Sequence, residues 1–417
     1  MKRVRLLWVC DNSKETRLNM HVTQILSRWL GQRLVVGHAM RADALVRVVQ
    51  ALVLGGKAAL TQLGRNRAGS AGVKHHIKAV DRLLGNRHLH RECSSIYRAI
   101  ARTLLADVAR PVLTVDWSDF ECGGKRKWAL IQAAVPIGGR AVVVYSRVFP
   151  FSRYNSPGAH REFLHALKLV LPESCSPIVV TDAGFRGPWF RAVEALGWDW
   201  VGRIRNKIKY LNESTGRWCF TDSLYELATP VTRYVGNVLL SPRRGYTFGL
   251  YLVRAHRPTR GGRRSPNNRR PNAKMYRKLH RAPWLLGTSL PHEPGREKRI
   301  TDLYATRMQI EETLRDGKSH RFGFGLRYAR SSSAQRIEVL LLLVALASLV
   351  LWLVGLAGRA QNLARSLQAN TVRHRLVLST PFVGRLLLLR RLALFPPTAI
   401  NNALAQLQAL AALPQLA

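Results

Sequence analysis

The chain has 417 residues, and its 66 Lys and Arg outnumber its 24 Asp and Glu to leave a formal net charge of +42. A hydrophobic share of 47% excludes a disordered basic tail, because that much apolar matter collapses into a core and the charge must then sit on a folded body. The excess calls for a partner dense in negative charge, a nucleic acid or an anionic membrane surface. The five cysteines are scattered, with no Cys-x-x-Cys pair and no Cys/His group at zinc spacing, which excludes a disulfide framework and a structural zinc. The basic opening Met1–Arg5 is followed by only five apolar residues before Asp11, too few for a signal-peptide core.

Residues 20–108 read as helical, with apolar residues every three or four positions through Val22–Leu30, Ala42–Leu54 and Ile77–Leu84. From Leu60 a helix, a turn of small residues and a second helix carrying Lys74, Lys78 and Arg82 have the layout of a helix-turn-helix DNA reader. The same residues equally suit the solvated basic face of a chain that is basic everywhere. After Arg110-Pro111 the pattern changes to strands: Val112–Asp116, Trp128–Ile137 and Ala141–Phe149, the last two flanking Gly138-Gly139, then Ile178–Thr181 and Trp198–Ile204. Helices are predicted between them at His160–Leu171 and Pro188–Leu196. Three consecutive antiparallel strands followed by alternating helix and strand describe an α/β fold with a ribonuclease H-like core.

Between Arg205 and Pro291 the texture differs. Strand-like pieces (Tyr234–Leu240, Tyr246–Val253, Trp284–Leu290) surround a block from Arg254 to Arg281 with nine arginines, which reads as a phosphate-binding arm, since unpaired like charges are costly without a counter-charge. Helices return at Tyr304–Lys318 and Ala334–Gln361, and the tail holds Gly384–Leu394 and Ala399–Leu413 around Pro396-Pro397. The uncharged run Val339–Gly358 has the length of a membrane span. It is solitary and flanked by basic residues, so a helix buried on all sides in a large core is the preferred reading.

Two acids stand at the ends of predicted strands, Asp116 in Val-Asp-Trp-Ser-Asp and Asp182 in Val-Val-Thr-Asp-Ala-Gly-Phe. Carboxylates so placed project from a sheet edge, where they suit a hard cation. A third, Glu311, belongs to Tyr304-x2-Arg307-x3-Glu311-x6-Lys318. At about 100° per residue, these four positions fall on one helix face. A carboxylate for metal beside a phenol, a guanidinium and an ammonium for phosphates is an unusual face for a core helix.

That spacing, with the two Asp motifs, closely resembles the DDE transposases of the bacterial insertion-sequence family that includes the transposase of transposon Ten. The likeness runs from about Leu60 to Val377 and takes in Arg-Met-Gln-Ile-Glu-Glu-Thr-Leu-Arg-Asp-Gly-Lys-Ser and Gly-Leu-Arg. The resemblance implies that Asp116, Asp182 and Glu311 bind two Mg²⁺ ions, with Mn²⁺ as a substitute, which activate the attacking oxygen and stabilise the leaving one. It makes Tyr304, Arg307 and Lys318 phosphate grips, and it assigns Trp284 and Met308 to a base flipped out as a DNA hairpin forms. It further implies excision through that hairpin, joining of 3′ ends to target DNA, binding of terminal inverted repeats, a homodimeric synaptic complex, and a cytoplasmic, nucleoid-associated protein without a membrane.

The expected architecture is a helical DNA-binding domain over 1–108, a catalytic core over 109–205 and 292–378 interrupted by a β-rich insertion over 206–291, and a helical dimerisation region over 379–417. Two rivals stand beside it. A ribonuclease H-like nuclease or resolvase shares the acids but has no need of the Tyr-Arg-Lys stripe. A non-catalytic basic DNA-binding or membrane-associated protein accounts for the charge and the apolar run.

Overall fold

The computed structural model describes residues 22–26, 36–122, 125–205, 208–212, 215–241, 245–254, 282–321, 323–331, 333–369, 371–390 and 395–416. The arginine block beyond Arg254, the end of the predicted Val22–Leu30 helix and the last four residues of Gly384–Leu394 lie outside these.

After a helical stretch at 22–26 come α1 (Ala39–Gly55), α2 (Leu60–Arg65), α3 (Val73–Leu84) and α4 (Arg87–Leu105). Asn86 caps α4, its side chain accepting the Leu89 N–H at 3.0 Å. Residues 66–72 join α2 to α3, a longer connection than the roughly three or four residues usual in a helix-turn-helix.

Among the described residues ten strands then form one mixed sheet: β1 (Val112–Cys122), β2 (Lys125–Pro136), β3 (Ala141–Pro150), β4 (Ile178–Thr181), β5 (Asp199–Arg203), β6 (Lys209–Asn212), β7 (Arg217–Phe220), β8 (Arg233–Leu240), β9 (Tyr246–Val253) and β10 (Trp284–Thr288). Their order is β3-β2-β1-β4-β5-β10-β9-β8-β6-β7. β1 pairs antiparallel with β2, and β2 with β3, while β1, β4 and β5 run parallel, joined by α5 (Pro157–Val170) and α6 (Gly187–Glu194). This arrangement is consistent with the ribonuclease H-like core expected from the sequence. The strands of the 206–291 region continue the same sheet, β10 pairing antiparallel with β5.

Three local expectations are corrected. β1 does not end at Asp116: it stays paired with β2 to Cys122, because polar Ser118 and Asp119 sit where only one neighbour is needed. What ends at that level is the parallel pairing with β4, whose last register pair is Val115 with Thr181. The predicted helix Tyr304–Lys318 is two helices, α7 (Lys298–Ala305) and α8 (Met308–Lys318). At the join the N–H of Thr306, Arg307 and Gln309 reach back three residues instead of four, so the chain is tightened by one turn without leaving helical dihedrals. β6 and β7, four residues each, were not anticipated from the sequence.

The apolar run lies in α9 (Ala334–Ala360), the one helix among the described residues long and apolar enough to cross a membrane, and 89% of its most apolar window is buried within the chain. It packs against β3, α1, α4, α10 (Thr380–Arg390) and α11 (Pro397–Leu416). The crossing with α10 is close enough to require glycine on both sides: a Cβ on Gly355 would fall 2.0 Å from the Thr380 carbonyl oxygen, and one on Gly384 would fall 2.1 Å from that of Leu351.

Candidate active site

The register of β1 with β4 fixes the first two acids. Since Val115 faces Thr181, Asp116 and Asp182 are the next residues on neighbouring strands, side by side where the parallel pairing stops. Side chains alternate across a strand, so Ser118 shares the face of Asp116 while Trp117 takes the other. Trp117 is buried there among Phe149, Tyr154 and His160, and its indole N–H donates to His160 Nε2 at 3.1 Å. Burial lowers the imidazole to about 4, so it stays neutral and able to accept. Anchored on one face in this way, β1 presents Asp116 on the other.

α8 brings the third acid. Its outer side is stitched to the β2–β3 turn: Gly138 N–H donates to Gln309 Oε1 and Ala141 N–H to Thr313 Oγ1, both at 2.8 Å, and Arg140 Nε donates to Asp316 Oδ2 at 2.6 Å. At its end Lys318 Nζ bonds Ser118 Oγ at 2.5 Å, the Asp119 carbonyl oxygen at 2.6 Å and Asp119 Oδ1 at 3.2 Å, tying α8 to β1. Burial lowers the Lys318 ammonium and Asp119 opposes that shift.

Asp116 senses the other two acids. Asp116 is pushed up to about 7, first by burial, then by the charge of Asp182 and that of Glu311, with Arg307 and the Trp117 N–H pulling the other way. Asp182 Oδ1 accepts the Gly184 N–H at 2.8 Å, and Asp116 Oδ1 that of Trp117 at 2.8 Å. Glu311 Oε1 accepts from Arg307 Nη1 at 2.5 Å. Burial alone would lower the Arg307 guanidinium, but Tyr304, Glu311 and Asp116 together raise it. Arg307 Nε is buried without a hydrogen-bond partner.

The remaining predicted residues fall in two places. Tyr304 is buried, with Arg307 over its ring at 5.8 Å and Trp284 edge-on at 4.9 Å; burial raises its phenol. Met308 is exposed, its sulfur 3.4 Å from Arg307 Nη2. Trp284, Tyr304, Arg307 and Met308 thus form a continuous path to Glu311. Lys74, Lys78 and Arg82 form an exposed stripe on α3 and do not line the acid cleft. That cleft, of about 630 Å³, is walled by Asp116, Glu311, Lys318, Arg327 and Tyr328 among others. The sequence reading singles out neither Arg327, whose Gly-Leu-Arg only forms part of the resemblance, nor Tyr328, which has no spacing signal of its own.

Among the described residues no three His, Cys, Asp or Glu side chains stand, as placed, as a ready metal-holding group. Glu311 spends an oxygen on Arg307 instead. The donor chemistry nevertheless fits a hard cation: Asp116 lies within electrostatic reach of both Asp182 and Glu311, and burial together with their charges raises its carboxyl to about 7.

Among curated proteins nothing matches the chain. The family model of the transposase DDE domain matches residues 108–348, more than half of the chain, from just before β1 into α9. Members of that family bind DNA and generally use divalent metal ions. The chain therefore belongs to the DDE transposases and carries their catalytic domain.

Proposed function

We propose that the chain is a cut-and-paste transposase of the subfamily with the Tyr-Arg-Glu-Lys signature, the family of the transposon Ten transposase, acting through a hairpin intermediate on terminal inverted repeats. The observation that carries this reading is the meeting of Asp116 and Asp182, side by side on parallel strands, with Glu311 and Arg307 of the motif. Asp116, Asp182 and Glu311 would hold two Mg²⁺ ions, or Mn²⁺ in their place, which supply charge stabilisation to the attacking and leaving oxygens of phosphoryl transfer.

The chain's own groups bind and orient the DNA. The partnerless Arg307 Nε is a donor for a phosphate oxygen, and the Tyr304 hydroxyl beside it is a second. Lys318 acts on phosphate when it exchanges its Asp119 contact, and otherwise fixes α8 to β1. Trp284, packed on Tyr304, and exposed Met308 flank the place for a displaced base. Lys74, Lys78 and Arg82 on α3 are the proposed end-reading stripe, residues 1–108 the DNA-binding domain, 206–291 the insertion within the core, and 379–417 the element that pairs two protomers. A cytoplasmic, nucleoid-associated location follows from this reading.

The test is direct. Asp116→Ala, Asp182→Ala and Glu311→Ala are each expected to abolish Mg²⁺-dependent cutting and joining of DNA from the borders of the reading frame, while gel-shift binding of that DNA persists. Retained cutting in any one of them overturns the assignment.

A further inference from the structure

One wall of the acid cleft is built by the chain doubling back after α8. Phe324 N–H donates to the Asp316 carbonyl at 3.0 Å and Gly325 N–H to that of Ser319 at 2.9 Å. A Cβ on Gly323 would lie 1.4 Å from the Asp316 carbonyl oxygen, so only glycine allows the segment to fold this tightly onto the helix that carries Glu311. Gly325, at φ 57°, then opens a short turn, Leu326–Tyr328. Leu326 and Ala329 are buried on either side, yet Tyr328 between them is 55% exposed. Its ring meets that of His320 at 4.7 Å, and both line the cleft with Asp116 and Glu311. Arg315, Lys318, Arg321 and Arg327 line the same cleft, so an aromatic pair stands in a cationic channel that leads to the acids.

This pairing of ring and cations is how proteins hold single-stranded nucleic acid: every base has a π-face to stack, and the backbone follows the positive charge. We propose that Tyr328, backed by His320, is the stacking platform for the nucleobase next to the scissile phosphate, with Arg327 on the phosphate beyond it. The proposal rests on reading the cleft as a strand-cleaving site. Because the turn is bonded to α8, a base seated on Tyr328 is held in register with Glu311; the platform sets where the backbone lies over the acids and accepts any base.

The experiment couples residue and base. Duplexes from the DNA bordering the reading frame are prepared intact and with single abasic sites on either side of the cut, and cutting rates in Mg²⁺ are measured for the wild type, Tyr328→Ala, Tyr328→Phe and Tyr328→Trp. Tyr328→Ala is expected to slow cutting of intact DNA about 5- to 100-fold. An abasic site at one flanking position is expected to slow the wild type by a similar factor and Tyr328→Ala hardly further, with Phe and Trp close to wild type. Equal sensitivity of wild type and Tyr328→Ala to every abasic site, or Tyr328→Phe as slow as Tyr328→Ala, overturns the platform alone. Failure of the wild type to cut any duplex overturns the strand-cleavage reading on which it rests. An unchanged melting temperature in Tyr328→Ala, expected from its exposure, separates these outcomes from misfolding.

Discussion

The two ends of the sheet are built differently. In β3, β4 and β5 nearly every residue is buried, whichever face it points to, because helices cover both sides. At the other end β6, β7 and β8 are mostly half-buried or exposed, with burial confined to scattered positions. The acids Asp116 and Asp182 belong to the doubly covered end, where packing dictates register and a one-residue slip is prohibitive. The outer strands are free to vary without disturbing that register. The division separates the part that must hold two carboxylates side by side from the part that meets the outside.

The sharpest way to break this comparison is a matched pair of tryptophan truncations. Trp200 in β5 is fully buried, stacks on Phe190 at 3.9 Å and donates its N–H to Glu194 and Tyr246. Trp200→Ala is expected to cost about 3–5 kcal/mol in urea unfolding. Trp218→Ala, on half-buried β7, is expected to cost about 1 kcal/mol or less. Similar losses would erase the distinction.

A smaller effect tests the strain at the acids. Asp116 is raised from 3.8 to about 7 in the folded chain, so the fold binds its proton more tightly than the unfolded chain does. Stability from this group is therefore full at low pH and is lost as pH climbs from about 4 through about 7. In EDTA, Asp116→Asn is expected to match wild type near pH 4 and to exceed it by roughly 3 to 4 kcal/mol at pH 8. Divalent-metal affinity of the wild type should fall as pH drops below 7, because the metal must displace that proton. A flat stability difference between pH 4 and 8 would show that neither burial nor the neighbouring acids raise Asp116 in the folded chain.

The smallest change is expected outside the sheet. Substituting Lys74, Lys78 and Arg82 together by Ala should leave unfolding within about 0.5 kcal/mol of wild type, since all three are exposed. It should lower the slope of log affinity for DNA against log salt by about 2 to 3. An unchanged slope would remove the α3 stripe from the DNA-binding surface.

Legibility in the sequence followed the same division. β4 and β9 were readable to their last residue because short runs rich in aromatic and β-branched residues, bounded by polar residues, leave little choice. β6 and β7 were not, since Lys-Tyr-Leu-Asn and Arg-Trp-Cys-Phe are too short and mixed to show a period, and they become strands by pairing with each other and, through Tyr210, with β8. β1 was cut short at Asp116 because its second half is polar and is held by β2 instead of by burial on both faces. At the site, spacing picks out Tyr304, Arg307, Glu311 and Lys318 as one face of one helix, whereas the break between α7 and α8 leaves Tyr304 on a different helix from Glu311 and Lys318. The tie from Lys318 to Ser118 and Asp119 spans some two hundred residues and leaves no local pattern.

The buried helix α9 also sets an order of events during synthesis. It supplies the surface that covers α1 and α4 at the start of the chain and α10 and α11 at its end, yet its first residue is Ala334. While the ribosome is still making the sheet, the apolar sides of the first helices have no cover and depend on transient protection. A nascent chain can thus complete its amino-terminal helical layer only after α9 has emerged, so α1 and α4 gain their cover later than the sheet strands that follow them in the chain.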